Sequence, residues 1–178
     1  MDELGTFGRS GDQTTLRYER RYARPIETVW AALTTPERLA DWLGPALVEP
    51  FVGGRFQLFI DRADDARMFG RVLKWEPPRL LEYTWKVGGE RETTVRCELE
   101  PDGPNATRLV FIHSGMAFPW VGLVLPGWHT HFERLAKALD TSKAQPFSMD
   151  RWRELQALYL DRYGLEGVML DPPSGHGG

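Results

Sequence analysis

The chain's pattern predicts an α+β domain: a curved antiparallel sheet wrapped around one long C-terminal helix, with two short helices after the first strand. Three observations carry this expectation. Short runs of alternating apolar and polar residues recur between turn signals, the period of half-buried strands. From about residue 53 to 114 these runs follow one another without an intervening helix. Neighbouring strands joined by hairpins run antiparallel. Near the end, Trp128, Phe132, Leu135, Ala136 and Leu139 form one apolar stripe at helical spacing.

Residues 1–12 are polar and glycine-containing and are expected to be disordered. Over 14–22, Leu16, Tyr18, Arg20 and Tyr22 share one face and Arg17, Glu19 and Arg21 the other, as in a strand. Pro25 opens a short helix bearing Ile26, Val29, Trp30 and Leu33. Thr35, before Pro36 and Glu37, has the form of an N-cap for a second short helix. Leu39, Trp42 and Leu43 are its apolar side, and Gly44-Pro45 ends it.

The meander then begins with Phe56, Leu58 and Ile60, joined through DRADDAR (61–67) to a strand from Met68 to Trp75. Pro77-Pro78 turns into Leu81, Tyr83, Trp85 and Val87, and Gly88-Gly89 turns into Val95, Cys97 and Leu99. PDGPNA (101–106) leads to Leu109, Phe111 and His113. A helix over 121–140 is about 30 Å long at 1.5 Å per residue, enough to cross a bent sheet. TSKAQP (141–146) is expected as a linker. A second amphipathic helix follows, using Met149, Trp152, Leu155, Leu158 or Tyr159, and Tyr163. One domain thus spans 13–140, a helical extension 141–165 and a disordered tail 166–178. The extension's stripe is expected to pack on its own domain, with a homodimer contact as the alternative.

Composition narrows the function. The chain has 178 residues, 42% hydrophobic and 26% charged, with a net charge of −3. That balance can bury a core and argues against a nucleic-acid partner, which usually needs a basic face. Arg17, Arg20, Arg21 and Arg24 are expected as a solvated strand face. Cys97 is the single cysteine, so neither an internal disulfide nor a cysteine metal cluster can form. The N-terminus has no apolar signal region, and the most apolar stretch, Met116 to Trp128, is too short to span a bilayer. No membrane insertion and a cytoplasmic location are expected.

Four passages carry a family likeness. RPIETVWAALTTPERLADWL (24–43), VLKWEPPRLLEYTW (72–85), TRLVFIHSGM (107–116) and GWHTHFERLAKALD (127–140) resemble matched segments of the START/Bet v 1-like superfamily, also called SRPBCC. The likeness spans about 14–140 and is strongest to the branch named for the activator of heat-shock-protein-90 ATPase. Arg24 stands where alanine is usual, and Phe132 where leucine is usual. The resemblance implies a helix-grip fold. It implies little about activity, because relatives range from lipid and hormone carriers to cyclases and co-chaperones.

A bent sheet closed by one helix offers an apolar concavity, the usual form of a ligand site. The resemblance adds weight to that expectation. The candidate lining is Phe56, Leu58, Leu81, Tyr83, Trp85, Phe111, His113, Trp128 and Phe132, with Val95, Leu99 and Leu135 nearby. His113, in register with Leu109 and Phe111, reads first as a structural histidine and second as a general base or ligand anchor. Arg20 reads as a snorkelling or ion-paired arginine before a carboxylate clamp. His129 and His131 are two apart and cannot share a metal as an i, i+4 pair does, although His131 is placed near the pocket mouth. Asp61, Asp64 and Asp65 lack the spacing of a calcium loop. No nucleotide fingerprint, phosphate loop or Ser-His-Asp pattern is present, so no metal and no cofactor are expected.

The leading expectation is a binder of a small hydrophobic molecule. A cyclase- or hydrolase-like enzyme using a cavity histidine or tyrosine is the alternative. A co-chaperone-like module comes third, since this stretch carries no separate N-terminal domain of the kind full-length activators have.

Overall fold

The computed structural model describes residues 3–59 and 66–170. Ile60, the hairpin aspartates Asp61, Asp64 and Asp65, and the final DPPSGHGG with His176 lie outside the described residues. The strands are β1 (Thr6–Ser10), β2 (Gln13–Tyr22), β3 (Ala46–Val48), β4 (Arg55–Phe59), β5 (Ala66–Glu76), β6 (Leu80–Val87), β7 (Thr93–Pro101) and β8 (Thr107–Ala117). They form one antiparallel sheet in the order β1-β2-β8-β7-β6-β5-β4-β3. The helices are α1 (Ile26–Thr34), α2 (Pro36–Leu39), α3 (Val121–Thr141) and α4 (Met149–Tyr163).

Alternation in the sequence becomes alternation in burial. In β2, Leu16, Tyr18, Arg20 and Tyr22 are buried, while Arg17 and Arg21 face out. The register shifts between Thr14 and Leu16, Leu58 and Phe59, and Val72 and Lys74. Such bulges bend a strand and raise its twist, so the sheet curves. The concave side receives α3. Phe132 of α3 meets Phe111 of β8 at 5.0 Å and Tyr18 of β2 at 5.2 Å between ring centroids.

Pro126 lies inside α3 and has no N–H to give the carbonyl of Gly122, four residues back. That carbonyl accepts from Nε2 of Gln156 on α4 at 3.2 Å instead. The next carbonyl, Leu123, accepts the indole N–H of Trp152 at 3.3 Å. The C-terminal extension therefore completes the hydrogen bonding of α3's first turns as well as covering them. Trp152, Leu155 and Tyr159 are buried against the same chain, while Leu158 and Met149 are exposed.

Several expectations are corrected. Residues 1–12 are not disordered throughout, because Thr6–Ser10 form β1, paired to β2 from Thr6↔Arg17 to Ser10↔Gln13. Two tyrosines of α4 hold its start: Gly5 donates its N–H to the Tyr159 hydroxyl at 2.7 Å, and Tyr163 donates to the Gly5 carbonyl at 2.8 Å. The tail's first residues are docked rather than disordered. Met169 N–H bonds the Pro119 carbonyl at 2.7 Å, and Val168 packs so closely on Gly122 that a Cβ there would fall 2.9 Å from it. Thr35 does not cap α2 with its side chain; its hydroxyl turns back to the Ala31 carbonyl at 2.8 Å and finishes α1. The short edge strand β3 had no alternation to announce it.

Candidate functional site

At one end of the sheet–helix interface a cleft of about 500 Å³ opens. It lies where the β6–β7 turn and the end of β8 approach the start of α3. Trp85, Met116, Trp120, Leu123, Val124 and Trp128 supply mostly apolar walls. Thr93 and His113 lie among them, and Glu90 and Arg91 are the charged residues of its lining. Trp85 and Trp128 stand 5.2 Å apart by ring centroid, and Trp85 is 5.7 Å from His113.

His113 is held at both nitrogens. The indole N–H of Trp128 donates to Nδ1 at 3.0 Å. An indole only donates, so Nδ1 must accept, and a neutral imidazole then carries its proton on Nε2. Nε2 lies 2.7 Å from the Thr93 hydroxyl, which accepts that proton and donates its own to the Trp85 carbonyl at 3.1 Å. The chain is closed from Trp128 to the β6 backbone. Burial pushes the His113 pKa down to about 3, since desolvation penalises the charged ring.

Of the residues expected in the lining, Trp85, His113 and Trp128 border this cleft. Phe56, Leu58, Leu81, Tyr83, Phe111 and Phe132 do not, and they are buried together as core. Phe56 stacks on Tyr83 at 3.9 Å, and Phe111 fills the space beneath Trp128 at 4.4 Å. Burial raises the Tyr83 phenol well above its usual value and Cys97 to about 12. The Met116–Trp128 stretch that supplies much of the wall is the most apolar in the sequence. Its signal was present but spoke only of membranes, and among the described residues no helix is long and apolar enough to cross one.

The other candidates lie elsewhere. Arg20 is buried beside the Tyr18 and Phe132 rings, 5.4 and 5.6 Å from their centroids, and donates to the Glu19 carbonyl at 2.9 Å. Arg17, Arg21 and Arg24 pair with Glu19, Asp102 and Asp140. His131 sits away from the cleft lining, 3.0 Å from the Arg134 guanidinium, and burial lowers its pKa to about 4. His129 meets the Tyr159 hydroxyl at 2.9 Å. Among the described residues no three His, Cys, Asp or Glu side chains converge as a metal site would need.

A bent eight-stranded antiparallel sheet gripping one long helix defines a helix-grip protein of the START/Bet v 1-like class. Residues 23–140 match the family described as Activator of Hsp90 ATPase homolog 1-like protein, and the chain belongs to that family. Solved structures share the fold. CalU16 from Micromonospora echinospora superposes with a TM-score of 0.72 at 24% identity, over 88% of this chain and 95% of its own. Protein MLL2253 from Mesorhizobium loti is 31% identical with a TM-score of 0.65, over 72% of this chain and 98% of its own. A conserved protein of unknown function from Enterococcus faecalis reaches 0.73 at 20% identity, over 94% of this chain and 92% of its own. No curated protein matches the chain.

Proposed function

We propose that this protein binds a small hydrophobic molecule in the cleft between β6, β8 and α3. The observation that carries the proposal is a cleft of about 500 Å³ walled by three indoles and aliphatic side chains. Ligand sites commonly enclose roughly 300–1,000 Å³ with few polar groups. Affinity would come from apolar area removed from water, at about 25 cal/mol per Å².

The closed chain Trp128–His113–Thr93–Trp85 favours binding over acid–base catalysis. Neither imidazole nitrogen is left to take a substrate proton, and Tyr83 and Tyr18 are buried away from the cleft lining. A general base needs a free lone pair within about 3 Å of the proton it takes.

The test is titration with a lipophilic fluorescent dye, followed by displacement and by quenching of the cleft tryptophans. Saturable one-to-one binding is expected. Val124→Trp, which fills the cleft, should weaken it at least tenfold while the circular dichroism spectrum stays unchanged. Equal dye binding by Val124→Trp and wild type would remove the cleft as the site.

A further inference from the structure

The cleft is electrostatically lopsided. At its inner end the polar groups are neutral and already bonded to one another, as the His113 chain shows. A ligand charge placed there would lose its water and gain no partner, at high cost. The charged lining residues, Glu90 and Arg91, follow Gly88 and Gly89 in the β6–β7 turn.

Arg91 is not committed to the fold. Its guanidinium makes a single hydrogen bond among the described residues, from Nη2 to Asp12 at 2.7 Å. Asp12 sits in the β1–β2 turn with its side chain 74% exposed, and the Arg91 side chain is 45% exposed. Exposed ion pairs of this kind stabilise little, so Arg91 can exchange one carboxylate for another at small cost. The planar guanidinium has further N–H groups that suit a carboxylate's two oxygens. A second cation, Arg9, lies over the Phe118 ring at 4.1 Å and lowers the Asp12 pKa, so Asp12 already has another positive charge beside it when Arg91 leaves. Glu90 opposes an anion from the same rim, which leaves discrimination to the reach of Arg91.

We propose that the cleft's ligand is an amphiphile with a carboxylate end, its apolar body against Trp85, Trp120 and Trp128 and its carboxylate on Arg91 in place of Asp12. This rests on the cleft being a ligand site.

The experiment compares three probes with the same twelve-carbon chain, each below its micelle concentration or solubility limit: dodecanoate, dodecanol and dodecylammonium. Affinities are read by dye displacement in wild type, Arg91→Gln and Asp12→Asn. Wild type should bind dodecanoate about threefold to fivefold more tightly than dodecanol, the scale of one exposed ionic contact. Arg91→Gln should erase that preference, with the loss of affinity larger for dodecanoate than for dodecanol. Asp12→Asn should strengthen dodecanoate binding about twofold to threefold, because it frees Arg91. The two substitutions break the same ion pair, so a purely structural role moves all three probes alike and in the same direction for both variants. That pattern, or weaker dodecanoate binding in Asp12→Asn, overturns the proposal. Saturable dodecanol binding without a preference for dodecanoate overturns it alone. No saturable binding of any probe overturns the cleft as a ligand site, and this proposal with it.

Discussion

Trp128 gives its indole proton to Nδ1 of His113, and through that one bond a residue of α3 sets the protonation of a residue on β8. Helix and sheet are joined there by a directional contact as well as by packing. The bond also occupies the one accepting nitrogen of a neutral His113. An imidazole whose Nδ1 accepts from Trp128 and whose Nε2 donates to Thr93 is a strut.

The first prediction concerns pH. His113 titrates at about 3 when folded and near 6.5 when unfolded. Between those values the unfolded chain binds a proton that the folded protein refuses, so stability rises with pH and falls as pH drops from about 6.5 toward 3. The slope from this one group is at most about 1.4 kcal/mol per pH unit. His131, lowered to about 4, acts in the same sense. Urea unfolding at pH 7 and pH 5 should show the loss, and His113→Gln should show a shallower one. An equal slope in the variant means His113 titrates in the folded protein as it does in the unfolded chain.

Trp128→Phe keeps an aromatic ring against Phe111 and removes the donor. Nδ1 of His113 is then a buried acceptor without its partner. The expected loss is about 1–3 kcal/mol by chemical denaturation. Nitrogen NMR of the imidazole should show a single Nε2–H tautomer in wild type and a mixture in the variant.

Tyr159→Phe removes the hydroxyl that accepts from Gly5 at 2.7 Å and meets His129 at 2.9 Å. Backbone hydrogen exchange over Thr6–Ser10 should speed up markedly, with a global loss of about 1–3 kcal/mol. Unchanged exchange in that strand would mean that pairing with β2 holds it without help from α4.

Gly70→Ala tests a close approach of strands. A Cβ at this position of β5 would lie 2.1 Å from the Thr84 carbonyl oxygen and 3.0 Å from that of Phe56, both backbone atoms on neighbouring strands. Neither can swing aside as a side chain does. The expected loss is about 3 kcal/mol or more, measured by thermal or urea unfolding.

Much of the fold was legible because its signals are local. Leu16-Tyr18-Arg20-Tyr22 and Leu81-Tyr83-Trp85 alternate, and Trp128-Phe132-Leu135 repeats at helical spacing; each pattern identifies an element and its buried side without reference to the rest of the chain. The TFGRS segment has no such pattern. Its strand pairs with β2, and Gly5 just before it is bonded to Tyr159 and Tyr163, more than 150 residues away. The candidate site was legible in part. Trp85, His113 and Trp128 border the cleft because they lie on inward faces. Phe56, Tyr83, Phe111 and Phe132 lie on inward faces too, but their rings meet one another and close the space.

From the sequence alone came the chain order of the helices and of every strand but β1 and β3, the faces they bury, and the likeness that identifies the class. Whether inward-facing side chains leave a void, and where, was settled only in three dimensions. Facing inward is a property of one residue in its own strand or helix, whereas a cleft is the volume left over when all of them are packed together. The same holds for His113: its position was written in the spacing, but its tautomer came from an indole on another element.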